Sequence, residues 1–272
     1  CIRDSMRVEL AGVTLKNPVC VASGTFGFGR EYAEFYPLSA LGGVSSKGIT
    51  LKARPGNPAP RIAEAPGGML NAVGLQNPGV DHFIREDLPW LRGQGTRIIA
   101  NIAGNTPEDY CAMAEKLNDT DVDMIELNIS CPNVKQGGVQ FGTTCAGVSG
   151  ITKAVRAHCK KPLMVKLSPN VTDISEMALA AESEGADAVS MINTLTGMRI
   201  DIRTRRPIIH NNTGGFSGPA LLPIAVRMVW QTYQKVKIPI VGLGGISTWQ
   251  DAVEMLLAGA TALQIGLSLI HI

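Results

Sequence analysis

Eight short apolar runs recur along the chain, each followed by a stretch long enough to hold a helix or a long connection. They cover residues 18–22, 43–47, 97–102, 124–129, 162–167, 188–193, 238–242 and 262–265. Most are β-branched or almost continuously apolar, the pattern of strands buried on both faces. Helical patterns lie between them at 107–117, 147–158, 174–184, 221–236 and 248–257. Pro107 follows Asn105-Thr106, and Pro223 stands near Ser217-Gly218, which suits the first turn of a helix. The phrases Glu184-Gly185-Ala186-Asp187-Ala188 and Ala258-Gly259-Ala260-Thr261-Ala262 each end a helix on glycine and begin a strand. Repeated β-then-α order implies a parallel sheet, and eight units favour closure over an open sheet. The expected fold is therefore an α/β chain of the (β/α)8 TIM-barrel type, cut off just after its eighth strand.

The 272 residues suffice for one such barrel, which takes roughly 250. With 45% hydrophobic and 18% charged residues the chain can bury a large core. A net charge of +2 without a basic stripe disfavours nucleic acid as a partner. No secretory or membrane-spanning run opens the sequence, so no membrane partner and a cytoplasmic location are expected. Cysteines stand at 1, 20, 111, 131, 145 and 159, with no C-x-x-C pair and no His/Cys cluster, so free thiols and no metal site are expected. The two ends share a feature at the DNA level. Residues 267–272 can be written CTG TCT CTT ATA CAC ATC, whose reverse complement encodes Cys1-Ile2-Arg3-Asp4 and begins a serine codon for Ser5. We therefore expect residues 1–5 and 267–272 to be non-native linker read-through flanking a single domain at 6–266.

In a (β/α)8 barrel the active site lies at the C-terminal ends of the strands. Ser23, Lys47, Asn101, Asn128, Lys166, Asn193 and the turn Gly242-Leu243-Gly244-Gly245 all end a predicted strand or sit just beyond it. One such residue commonly caps a helix or faces water. Seven on one rim read as a site. The glycine turn, followed by Ile246-Ser247 and paired with Gln264-Ile265-Gly266, can aim backbone N–H groups at a phosphate. Gly214-Gly215-Phe216-Ser217-Gly218 reads as a further flexible segment. Two connections, 50–95 and 130–148, are unusually long, as active-site insertions often are. Lys166 can serve as a Schiff-base amine or as a charge against a flavin ring. Asparagines around it, with no evident carboxylate on the rim, favour a planar heterocycle. Cys20, Cys111 and Cys159 read as inert. Cys131 sits in a glycine-rich loop at the rim, where a thiol can act as base or nucleophile.

These residues resemble those of dihydroorotate dehydrogenases across 6–266. The shared stretches are ASGTFGFG at 22–29, NAVGLQNPG at 71–79, NISCPN at 128–133, VKLSPN at 165–170 and INT at 192–194. Cys131 in place of serine, and Lys135-Gln136-Gly137-Gly138 followed by Phe141-Gly142-Thr143, resemble the class 1B, NAD-linked catalytic subunits. That resemblance implies FMN contacts at Ser23, Lys47, Gly48, Asn101, Asn128, Lys166, Ile192, Gly218, Gly244, Gly245 and Gly266. It implies substrate contacts at Lys47, Asn71, Ala72, Val73, Gly74, Leu75, Asn128, Asn193 and Thr194, with Cys131 as the catalytic base. It also implies oxidation of (S)-dihydroorotate to orotate in de novo pyrimidine (UMP) synthesis. Electrons would pass to NAD through a partner, an iron–sulfur flavoprotein subunit carrying FAD and a 2Fe–2S cluster, in a heterotetramer built on a homodimer. The pattern departs after Gly266, where the family places threonine and then phosphate-binding and closing helices, and this chain has Leu267. Three alternatives remain at this point: a dihydropyrimidine-type flavin reductase, a Schiff-base aldolase through Lys166, and a barrel that only binds a ligand or partner.

Overall fold

The computed structural model describes residues 6–129 and 141–267. Eight parallel strands close into a barrel: β1 (Val19–Val21), β2 (Gly43–Ser45), β3 (Arg97–Ile102), β4 (Met124–Asn128), β5 (Leu163–Lys166), β6 (Ala188–Met191), β7 (Ile240–Gly242) and β8 (Ala262–Ile265). Chain order is kept around the ring, with β8 pairing β1 through Gln264↔Cys20. Every predicted run holds one strand. The runs overshoot mainly at their C-terminal ends, where the chain leaves the ladder to build loops.

The period of two divides each strand between two environments. Val21, Val44, Ile98, Ala100, Ile125, Leu127, Leu163, Val165, Val189 and Leu263 face outward into the main core with the helices. Cys20, Ile99, Met124, Met164, Ala188, Val241 and Ala262 instead form a second apolar cluster with Leu10 and Leu15. Those two leucines come from an antiparallel hairpin, Val8–Leu10 with Val13–Leu15, which closes the N-terminal end of the barrel. Towards the other end the inward-facing residues turn polar: Ser45, Asn101, Glu126, Asn128, Lys166, Ser190 and Gln264 are all buried.

Helices α1 (Pro107–Asn118), α2 (Cys145–His158), α3 (Ile174–Ser183), α4 (Leu222–Tyr233) and α5 (Trp249–Leu257) pack around the ring. Side-chain caps fix where four of them start. Thr106 accepts from Asp109 N, Thr144 from Gly147 N and Asp173 from Ser175 N, and Thr248 and Asp251 form a reciprocal capping box.

The long 50–95 connection is not structureless. It carries the strands Ile62–Ala65 and Gly68–Asn71, then a helical segment made of Val80–His82, the π-turn Phe83–Asp87 and Leu88–Arg92. Strands Leu195–Met198 and Thr213–Ser217, inserted after β6, join the first two in an antiparallel sheet of four. The glycines of 214–218 thus belong largely to a strand, which corrects their reading as a flexible segment. They are required by close approach: a Cβ on Gly215 would lie 2.1 Å from Thr194 Oγ1, and one on Gly218 2.4 Å from Gly68 Cα.

Candidate active site

The C-terminal ends of the barrel strands form the floor of a cleft of about 320 Å³, and the four-stranded sheet supplies part of its wall. Of the residues singled out in the sequence, Ser23, Lys47, Gly48, Asn71, Val73, Gly74, Leu75, Asn128, Lys166, Ile192, Asn193, Thr194, Gly218, Gly244, Gly245 and Gly266 all line it. Two do not reach its wall. Ala72 is fully buried behind it, and Asn101 is fully buried beneath it. Cys131 lies outside the described residues.

Local backbone explains several of these positions. Gly244 (φ 124°) and Gly245 (φ 79°) follow β7 in conformations that favour glycine. A Cβ on Gly245 would also sit 2.3 Å from the backbone nitrogen of Leu222, at the start of α4. The glycine turn therefore lies against a helix N-terminus, beside Gly218 and Gly266, in a corner suited to a phosphate. Leu75, at φ 57°, closes over Gly48, where a Cβ would meet its Cδ2 at 3.0 Å and Asn101 Oδ1 at 3.2 Å.

Lys166 Nζ donates to Ser23 Oγ at 3.5 Å. Asn193 Nδ2 donates to Asn128 Oδ1 at 3.4 Å, and Asn128 Nδ2 donates to Asn101 Oδ1 at 3.3 Å. Asn101 Nδ2 in turn donates to Glu126 Oε2 at 2.7 Å. Tyr110 braces β4 from outside, its hydroxyl donating to the Asn128 carbonyl at 2.9 Å.

Glu126 was not among the residues the sequence singled out; it places a carboxylate near Lys166 one layer below the rim, outside the cleft lining. It is fully buried, and burial alone would push its carboxyl up. The Lys166 ammonium and hydrogen bonds from Ser45, Ser190 and Asn101 together hold it below its ordinary value. The pattern of β4 carried the clue: Met124, Glu126 and Asn128 alternate, so the glutamate must share the inward face with the asparagine. Ser45 and Ser190 were also not singled out, and Gln264 and Thr25 were named only within the phosphate-turn and 22–29 stretches, with no side-chain role. Gln264 Oε1 and Thr25 Oγ1 are buried without a hydrogen-bond partner among the described residues, and both residues line the cleft. Such orphaned acceptors suit a ligand that brings N–H or O–H donors.

Three of the other thiols, Cys20, Cys111 and Cys159, are poorly placed for chemistry. Cys20 is pushed up to about 12 by burial and by the charge of Glu126, and burial also raises Cys111 and Cys159.

The family model for dihydroorotate dehydrogenase matches residues 5–271. The chain belongs to the dihydroorotate dehydrogenase family. Among curated proteins it is 59% identical over 264 residues to the protein named dihydroorotate dehydrogenase B (NAD(+)), catalytic subunit, from Alkaliphilus oremlandii, covering 97% of this chain and 87% of that one. It is 60% identical over 262 residues to the protein of the same name from Alkaliphilus metalliredigens, covering 96% and 87%. The counterpart from Caldicellulosiruptor saccharolyticus is 56% identical over 262 residues, again covering 96% and 87%. The barrel and its cleft are thus those of a dihydroorotate dehydrogenase family oxidoreductase. Among the described residues, no helix is long and apolar enough to cross a membrane.

Proposed function

We propose that this chain is the catalytic subunit of an NAD-linked dihydroorotate dehydrogenase, with FMN held in the cleft and (S)-dihydroorotate oxidised to orotate for pyrimidine synthesis. The observation that carries the reading is the convergence on one cleft of Lys47, Lys166, three asparagines and the Gly244-Gly245 phosphate corner. The names of relatives at 56–60% identity support it.

The residues fit FMN. Gly218, Gly244, Gly245 and Gly266 would hold the phosphate. Lys166, Ser23 and the buried acceptors of Gln264 and Thr25 would meet the polar edge of the ring system. Bound FMN supplies the acceptor for the hydride that leaves C6 of the substrate. Lys47 provides a cation for the substrate carboxylate. Asn71, Asn128 and Asn193 present both donors and acceptors to the amide edges of the pyrimidine. The Val73–Leu75 segment and Thr194 close the substrate side, with Ala72 packed behind them, and the four-stranded sheet keeps bulk water from that wall. Cys131 takes the proton from C5, as the family resemblance implies. Electrons continue to NAD through an iron–sulfur flavoprotein subunit with FAD and a 2Fe–2S cluster, the whole forming a heterotetramer on a homodimer.

Substrate choice tests the reading. Dihydroorotate should reduce the bound flavin and dihydrouracil should not, because only the former gives Lys47 a carboxylate. Lys47→Ala should weaken orotate binding by about 10- to 100-fold, the usual range for losing a hydrogen bond to a charged group. Equal reduction by both substrates, or unchanged orotate affinity in the variant, would contradict the proposed substrate.

A further inference from the structure

At the centre of the barrel, between the apolar lower cluster and the cleft, one carboxylate gathers donors from four other strands. Ser45 Oγ on β2 and Asn101 Nδ2 on β3 each donate to Glu126 Oε2 at 2.7 Å. Ser190 Oγ on β6 donates to Oε1 at 2.7 Å, and Gln264 Nε2 on β8 donates to the same oxygen at 3.0 Å. Both oxygens therefore have two donors, about as many as a carboxylate can take.

An ionised carboxylate has no proton to give. Asn101 must therefore turn its NH2 towards Glu126, which turns its carbonyl oxygen towards the cleft. That oxygen accepts from Asn128, whose own oxygen accepts from Asn193. Asn193 Oδ1 accepts from the backbone N–H of Thr194 at 2.8 Å. Every link runs in one direction, from the cleft wall down to the carboxylate. Amide groups have no intrinsic preference between their two ends, so a chain of them needs one member of fixed polarity. The same carboxylate places a negative charge under the lysine of the cleft floor: Asn128 pairs with Lys166 in register, and Glu126 lies two residues earlier on the same face of β4.

We propose that Glu126 is a positioning residue for the reaction, fixing the polarity of the Asn101–Asn128–Asn193 relay and holding a negative charge beneath Lys166. This inference rests on the FMN and dihydroorotate reading above. It assigns Glu126 no contact with either molecule. Its effect is to fix which face of each amide is turned towards them.

The test compares Glu126→Gln with Ser45→Ala in the whole protein with its partner subunit. The first keeps size and removes the acceptor-only charge; the second removes one of the four donors and keeps the charge. Orotate affinity is read from the flavin absorbance change, and the midpoint potential of bound FMN by spectroelectrochemical titration. Glu126→Gln should weaken orotate by about tenfold or more, near 1.4 kcal/mol, and make the flavin easier to reduce because a nearby negative charge is gone. Ser45→Ala should stay within about threefold of wild type in orotate affinity, with little change in potential, because it removes one neutral donor. Glu126→Gln indistinguishable from wild type, or Ser45→Ala causing equal losses in both readouts, overturns the proposal. Should Glu126→Gln not fold, the double variant Glu126→Gln/Asn101→Asp keeps one acid and one amide in the pair and leaves an acceptor facing Asn128. Recovered folding and orotate binding in that variant support the proposal, and failure to recover them overturns it. Wild-type protein that takes up no FMN instead defeats the flavin reading itself, an outcome distinct from any difference among the variants.

Discussion

Two acidic groups of this chain answer to opposite environments. Cys20 is held up to about 12 by burial and by the Glu126 charge, so it should resist alkylation in the folded protein at neutral pH and react only on unfolding. Mass spectrometry after a timed thiol-labelling pulse would show it. Glu126 is held below its ordinary value of 4.5, so its contribution to folding is fully present above that pH and is lost as the pH falls through the lower folded-state value. The stability gap between wild type and Glu126→Gln should therefore narrow on acidification below about 4.5 in denaturant melts. A gap that stays constant across that range would contradict the ionised state. Cys131→Ser should cost about 100- to 10,000-fold in turnover, the usual contribution of a general base, and move the residual rate to more alkaline pH. FMN content and orotate affinity should stay near wild type, since serine is smaller than cysteine. The rim lysines and asparagines were legible because each ends an apolar strand, and so many polar strand ends on one rim exceed what helix caps require. Glu126 was less legible because it sits one layer below that rim, where only its alternation with Met124 and Asn128 marks it as inward-facing.

The barrel strands and their five helices were readable because apolar runs of strand length alternate with helix-length amphipathic stretches. The four-stranded sheet over the cleft was not. Its strands are short and half-exposed, and Thr213-Gly214-Gly215-Phe216-Ser217 has the composition of a turn. Its pairing with Gly68–Asn71 also joins segments more than a hundred residues apart, which no local pattern announces. The glycines there serve close contact, and so does Gly245 in the turn after β7. Gly245→Ala would force a Cβ to 2.3 Å from Leu222 N at a φ of 79°, so FMN affinity should fall by at least about tenfold, near 1.4 kcal/mol. Thr248→Ala removes one half of the capping box of α5, immediately after the cleft-lining Ser247. It should cost about 1 kcal/mol, or roughly 2–4 °C of melting temperature, read in thermal melts.

At the scale of the whole molecule, the barrel carries the cleft proposed for substrate and FMN, and two sequence patterns that would serve NAD reduction are missing from these 272 residues. None of its glycine turns has the G-x-G-x-x-G spacing of a nicotinamide site, and no cysteine cluster offers to hold iron and sulfur. Efficient NAD reduction should need the partner subunit; the isolated chain should reduce an artificial dye with dihydroorotate while leaving NAD nearly untouched. The central claim is that the cleft at the barrel mouth binds FMN and passes it two electrons from dihydroorotate. The direct measurement is an anaerobic titration of the purified, FMN-loaded protein with dihydroorotate, following the visible flavin bands. The account predicts a yellow protein that bleaches with about one equivalent of substrate, as a two-electron donor to one flavin requires. A protein that takes up no FMN, or whose flavin bands persist in excess dihydroorotate, would contradict it.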